Sequence, residues 1–317
     1  MSTWWIGTYD PSVQNGTGRG IYRAESNPDG TLSEPELLHE LPSPSYLVAD
    51  GDRVVAVLEG LGQLAAIRHG AVKTRVGAGG TFPCHLSALA DRVVVANYGD
   101  GAVAVVGDGG PEQVLAGHGS GPHPAQDGPH AHASLLVDAS TALTTDLGAD
   151  LVHVHAVRGT VLERTASVAL PAGTGPRDLA LHPSGAILVL GELDGSLHVL
   201  RRTGEQLAVE ASASLPGFAA GSHAAAIAMR GDLIYAGVRG ANRIAVLRLS
   251  QGGLVPVTDV DCGGDWPRHL VLDGDLLHVA NQRSHGIASL RIGADGVPVL
   301  VGEPTGVPSP AFLLQVA

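Results

Sequence analysis

The stretch Gly121–Asp146, GPHPAQDGPHAHASLLVDASTALTTD, sets His123, His130 and His132 in a Gly/Pro-rich loop that runs directly into a strand-like apolar segment. The same loop–strand junction recurs along the chain with different residues in it. The copies are Pro44-Ser45-Tyr46-Leu47, Pro83-Cys84-His85-Leu86, Pro129-His130-Ala131-His132 and Pro176-Arg177-Asp178-Leu179, followed by Ser222-His223-Ala224-Ala225, Pro267-Arg268-His269-Leu270 and Pro310-Ala311-Phe312-Leu313. They lie 39 to 47 residues apart. A period in the forties with β-rich content is the mark of a propeller, and seven such units fill the chain.

Each unit has the same internal order. A second apolar run follows the junction, as in Val54–Leu58, Val93–Ala96, Ile187–Leu190 and Leu276–Ala280. A short turn follows, such as Gly99-Asp100-Gly101 or Asp194-Gly195, and then a third apolar run such as Val103–Val106 or Ile244–Leu249. Turn residues between short runs are hairpin signals. Because the runs are continuous rather than alternating, both faces are expected to be covered, as when sheets stack on each other. A more polar fourth segment, such as Leu162–Leu170, closes the unit as an outer strand. The chain starts with three strand-like runs, Trp4–Thr8, Gly20–Ala24 and Pro35–Leu41, and stops with a lone junction strand from Pro310. One plus three completes a blade, so the reading is an all-β, seven-bladed β-propeller of four-stranded blades. It forms a single domain over 1–317, with the ring closed by pairing the N-terminal strands with the C-terminal one.

Composition narrows the function. The 317 residues are 44% apolar but only 3% aromatic and 16% charged, with a formal charge of −12. No basic stripe speaks for a nucleic acid, and no apolar run reaches membrane-spanning length. The N-terminus lacks a basic region followed by an apolar core, so the expected location is the cytoplasm. Cys84 and Cys262 do not make a disulfide framework and read as small buried residues. Lys73 is the only lysine, so an anionic ligand would meet guanidinium forks.

In a propeller the innermost strands line a central channel. The junction residues His85, His130, His132, Arg177, His223, Arg268 and His269 are therefore expected to converge on one rim. Two arginines facing one channel repel unless an anion or carboxylate joins them, and Glu192 in Gly191-Glu192-Leu193-Asp194-Gly195 is the candidate carboxylate. His123, Asp127, His130 and His132 are zinc-type ligands, but neighbours on one flexible loop are not a recognised structural spacing, so no metal is expected.

The segments Ile6–Tyr9 (IGTY), Ala96–Gly101 (ANYGDG), Gly128–Ala133 (GPHAHA), Gly175–Gly185 (GPRDLALHPSG), Gly191–Ser196 (GELDGS), Gly264–Leu270 (GDWPRHL) and Ala280–Ser284 (ANQRS) carry a resemblance over essentially the whole chain. The chain resembles the bacterial seven-bladed propeller 6-phosphogluconolactonases, which are related to the fungal carboxymuconate-lactonizing enzymes. The resemblance implies opening of 6-phosphoglucono-δ-lactone without metal or organic cofactor, and a catalytic set of His132 or His130, Arg177, Glu192 and Arg268. His132, with His130 as the alternate, would activate water. The two arginines would hold the oxyanion and the substrate's anionic group, and Glu192 would orient an arginine or relay a proton. His85, His223, Arg239, His269 and Arg283 are the expected substrate-binding set. The sequence departs from the family at Asp178, where histidine is frequent, and at Gly237-Val238-Arg239-Gly240, where Asn-Arg-Gly is common. The expected partner is a small anionic sugar lactone, with the chain a monomer or weak homodimer. The competing readings are a catalytically silent propeller that binds an anionic metabolite or a protein partner, and a lactonase or cyclase for another acid.

Overall fold

The computed structural model describes residues 2–204 and 206–316. Among them the chain forms seven four-stranded antiparallel sheets and one short 3-10 turn, Glu59–Leu61. Numbered from the first complete sheet, the innermost strands are Leu47–Asp50 (blade 1), Pro83–Leu89 (blade 2), Ala131–Asp138 (blade 3), Pro176–Leu181 (blade 4), His223–Arg230 (blade 5), Pro267–Asp273 (blade 6) and Pro310–Val316 (blade 7). In blades 1 to 6 each inner strand is followed by its three partners in sequence order.

Blade 7 closes the ring. Its inner strand pairs with Thr3–Thr8, from Thr3 opposite Val316 to Thr8 opposite Pro310. Gly20–Glu25 and Glu36–Glu40 complete the sheet. This is the closure read from the two chain ends, and it gives the C-terminal inner strand the sheet partners that its own end of the chain lacks. The closure also explains a glycine. A Cβ at Gly7 would stand 2.0 Å from the Pro44 carbonyl oxygen, so blade 7 can approach blade 1 only with glycine there.

The continuous apolar runs are buried on both faces. Arg53–Leu58 and Leu276–Asn281 are buried at every position, whereas the outer strands Val161–Ala169 and Gln206–Ser214 are mostly exposed or partly exposed. Burial is shared between neighbours. Leu188, Leu190, Leu197 and Val199 of blade 4 pack with Ile234, Ala236, Ala245 and Leu247 of blade 5. The opposite face of blade 5, with Tyr235 and Val246, packs with Leu277, Val279 and Leu290 of blade 6. Small aliphatic side chains let sheets stack closely on both sides, which accounts for a core with so few aromatics.

Among the described residues His153, His155, His198 and His278 are buried within these sheets, and His198 has both ring nitrogens bonded, to Ser196 and Ser212. His153 shares a hydrogen bond of 2.7 Å with Ser167, His155 one of 2.9 Å with Thr144 and His278 one of 2.9 Å with Ser289. The second ring nitrogen of each has no partner. Burial pushes their proton affinities down, to about 4 for His153, about 3 for His155 and about 4 for His278. All three are therefore neutral in the native state, whereas an unfolded histidine protonates near 6.5. Their stabilising effect is complete above that value and is lost as pH falls from 6.5 towards 4. Each should contribute a slope of about 1.4 kcal/mol per pH step within the window. Urea denaturation as a function of pH should give a nearly constant unfolding free energy above neutrality and a steep decline below about pH 6.5. A flat profile down to pH 4 would contradict neutral burial.

Candidate active site

At the head of each inner strand the register slips by one residue. Pro83 faces Asn97 but His85 faces Ala96; Pro176 faces Gly191 but Asp178 faces Leu190; Pro267 faces Asn281 but His269 faces Ala280; Pro310 faces Thr8 but Phe312 faces Gly7. The slips in blades 3 and 5 fall between Ala131 and Ser134 and between Ala224 and Ile227. In blade 1 the backbone bonds Val57 N–Tyr46 O and Glu59 N–Ser43 O enclose the same extra residue. Such a bulge kinks the strand and re-aims a side chain. The residues so placed are Ser45, Cys84, His132, Arg177, Ala225, Arg268 and Ala311, one per blade, and all seven line one cavity of ≈ 200 Å³ at the channel. In five blades the residue two before it, just ahead of the strand-head proline, has a left-handed backbone: Ser43 (φ 43), Phe82 (φ 49), Gly175 (φ 59), Trp266 (φ 69) and Ser309 (φ 41). For bulky Trp266 and Phe82 this conformation is strained.

The bulges correct the repeat frame. The structural equivalents of Pro176 in blades 3 and 5 are Ala131 and Ala224, two residues after the Pro129 and Ser222 that spacing aligns. Of the two histidines in Pro129–His132, His132 therefore faces the channel. His130 stacks on Tyr98 at 4.5 Å and 16°. Its Nδ1 lies 2.7 Å from the Tyr98 carbonyl oxygen and its Nε2 3.0 Å from Asp127. His223 likewise stands outside the ring of bulged residues. The loop before His130 holds itself together: His123 Nδ1 accepts the Ala125 N–H. No group of three or more His, Cys, Asp or Glu suited to a metal occurs among the described residues.

The turn after each second strand adds a bracing layer, which includes Tyr9, Glu59, Tyr98, Glu192, Arg239 and Gln282. Glu192 lies between two buried arginines, with Arg177 Nε 2.8 Å from Oε2 and Arg239 Nη2 2.8 Å from Oε1. His223 Nδ1 is 3.5 Å from Oε1. Arg177 also donates to the Ala225 carbonyl at 2.8 Å and Arg239 to that of Ala224 at 3.1 Å. Burial would raise the Glu192 carboxyl, but the Arg239 and Arg177 guanidiniums outweigh it and hold the group well below the usual carboxylate range. Arg268 is wired differently. It donates to Gln282 at 3.3 Å and lies 4.7 Å from the centre of the Tyr9 ring, and among the described residues it has no carboxylate partner within ion-pair distance.

His132 is buried, and its Nδ1 has no hydrogen-bond partner. Its ring meets the Tyr98 ring edge-on at 5.9 Å. Burial and then the Arg177 charge keep its proton affinity well below the ordinary imidazole value, so it is neutral.

One residue further along the inner strands, His85, Asp178 and His269 act as inter-blade stitches. His85 Nδ1 accepts the Ser134 N–H at 3.3 Å, Asp178 Oδ2 the Ile227 N–H at 2.9 Å and His269 Nδ1 the Leu313 N–H at 3.2 Å. Burial pushes both histidines down to about 3, which keeps the accepting nitrogen free of a proton. Tyr46 and Phe312 fill in between: Tyr46 bonds His85 Nε2 at 2.9 Å, and Phe312 packs on Tyr46 and on His269. Asp178, the departure from the family pattern, thus supplies the acceptor that a histidine supplies elsewhere. Arg283 is exposed on the rim, its guanidinium carbon 3.3 Å from the centre of the Trp266 ring, with Arg239 on Trp266 at 5.5 Å. Sequence reasoning overlooked Tyr9, Glu59 and the channel position of Cys84. Aligning the residues that follow the second strands would have found the first two.

A family described as "Lactonase, 7-bladed beta-propeller" matches residues 3–315. A 6-phosphogluconolactonase of Bacillus subtilis (strain 168) is 30% identical over 304 residues, which span 85% of this chain and 84% of the relative. A solved periplasmic gluconolactonase of Pseudomonas aeruginosa has a TM-score of 0.89 at 26% identity and covers 100% of this chain and 99% of its own. A solved protein of Lactobacillus plantarum has a TM-score of 0.91 at 26% identity, with both chains covered completely. Among the described residues no helix is long and apolar enough to cross a membrane.

The stitch at Asp178 is testable by urea denaturation. Asp178→Leu strips the Ile227 and Leu179 N–H groups of their acceptor and is expected to cost about 1–3 kcal/mol. Asp178→His should recover most of that loss. Equal destabilisation by both variants would contradict the stitch.

Proposed function

The chain belongs to the seven-bladed β-propeller lactonase family, and from that premise we propose that it hydrolyses a sugar δ-lactone, 6-phosphoglucono-δ-lactone first, at the ring of bulged residues. The observation that carries the reading is the pairing of two groups in one cavity. One is a neutral histidine, His132, whose ring nitrogens make no hydrogen bond to the described residues; the other is an arginine with no carboxylate partner, Arg268.

The chemistry divides between them. His132 accepts a proton from water as the water oxygen bonds to the lactone carbonyl carbon. The carbonyl π electrons move onto its oxygen, and Arg268 meets the charge with guanidinium N–H donors. When the tetrahedral intermediate collapses, the bond from that carbon to the ring oxygen breaks. The proton passes from His132 to the departing alkoxide, and the open hydroxy acid results. Base catalysis of roughly 10²–10⁴ with an oxyanion donor of about 10²–10³ is enough for a lactone, whose ring opens unaided at a slow rate.

Arg177 is held on two sides and contributes its field more than its donors. Glu192 keeps it and Arg239 in place, and burial together with the Arg177 charge keeps His132 deprotonated. His130, with both ring nitrogens engaged, supports Tyr98 and through it the His132 ring. His223 and Arg283, both near the Trp266 ring, are the groups we assign to a phosphate that extends out of the mouth. The names of the Bacillus and Pseudomonas relatives differ by that phosphate, so both lactones belong in the assay.

Acceleration over spontaneous ring opening should be greater in kcat/KM for the phosphorylated lactone. Arg268→Ala should lower kcat/KM by roughly 10²–10³ and His132→Gln by about 10²–10⁴, with melting temperatures preserved. Unchanged turnover in folded Arg268→Ala would sink the reading. Because His132 is already neutral, kcat/KM should stay level from about pH 6 to 8, and an inflection near 6.5 would point to an ordinary, unburied imidazole.

A further inference from the structure

Arg177 and Arg268 occupy equivalent bulges, yet they are anchored in opposite ways. Arg177 sets its Nε 2.8 Å from the Glu192 carboxylate as an ion pair and gives an Nη to a carbonyl. Arg268 spends one donor on Gln282, at a long 3.3 Å, and otherwise rests on the face of Tyr9. A ring face attracts a guanidinium through its π electrons without consuming any N–H. Tyr9 in turn is fixed at its far end. Its hydroxyl donates to Glu59 Oε2 at 2.9 Å, and Ser45 donates to the same oxygen. Tyr9, Glu59 and Ser45 are all buried, and both Tyr9 and Ser45 line the cavity.

We propose that Tyr9 and Glu59 are positioning residues for Arg268: Glu59 holds and polarises the Tyr9 ring, and the ring holds the guanidinium in place with its donors left for the substrate oxyanion. Donation of the phenol proton towards a carboxylate enriches the ring in electron density, so the cation–π contact strengthens. The inference rests on the reading of Arg268 as the oxyanion donor and adds two residues to it.

The test separates ring shape from ring charge. Tyr9→Phe keeps the ring and loses the Glu59 link. A trifluorinated phenylalanine at position 9 keeps the shape and removes the negative face, so it should fold as Tyr9→Phe does. Tyr9→Phe and Glu59→Gln should each lower kcat roughly threefold, and the fluorinated variant roughly tenfold, with KM little changed. In an Arg268→Ala background, the fluorinated and phenylalanine variants should be equal, because Tyr9 acts through Arg268. If the fluorinated variant matches Tyr9→Phe with Arg268 present, or if its loss persists without Arg268, the positioning role is wrong. If Arg268→Ala itself leaves turnover unchanged, the proposed function fails instead.

Discussion

The site depends on one backbone irregularity repeated around a ring. A regular inner strand would alternate its side chains between the two faces of its blade, and both faces are already filled by neighbouring blades. One extra residue at the strand head breaks the alternation and turns a side chain towards the axis. Seven blades do this at the same level, so seven side chains meet across one small cavity. Three of the seven, His132, Arg177 and Arg268, have basic side chains, and the others are small. A left-handed residue ahead of the bulge sets it up in five blades, and the strain is borne by a scaffold in which both faces of each blade are packed.

The two arginines show how one position can serve two purposes. Glu192 shares itself between Arg177 and Arg239 in a rigid buried cluster beside His132, whose proton affinity burial and then the Arg177 charge depress while Glu192 partly offsets them. Arg268 rests on an aromatic face, with its countercharge one side chain away. A direct carboxylate would fix Arg268 more firmly and occupy the donors that a developing oxyanion needs. The balance between immobilisation and availability is set by the residue after the second strand, Glu192 in blade 4 and Tyr9 in blade 7.

Much of this was legible in the residues. The period, the four-strand order of each unit and the closure of blade 7 all follow from spacing and apolar runs, because burial on both faces leaves long uninterrupted segments. The channel-facing positions in blades 4 and 6 could be placed because a proline marks the frame next to Arg177 and Arg268. In blades 3 and 5 that marker is displaced by two residues, so His130 and His223 were set level with residues they do not match. A one-residue bulge has no signature in spacing. His85 and His269 read as ligands for a substrate because histidine at a channel suggests chemistry; both line the cavity, and Nδ1 of each also accepts a backbone N–H group from the next blade, a role that spacing does not reveal. Asp178 does the same, which shows that the position requires an acceptor rather than an imidazole. Tyr9 and Glu59 went unnoticed because a tyrosine and a glutamate in separate turns have no visible relation until blade 7 closes against blade 1.

The most direct measurement is a crystal structure of the protein with the open-chain product acid bound. The carboxylate formed from the lactone should lie at the level of the bulges, within hydrogen-bond reach of Arg268 and beside His132, with its polyol chain running towards Trp266. Product bound on the outer strands or at the opposite end of the channel, with the bulged ring empty, would contradict the central claim that these seven residues form the reacting surface.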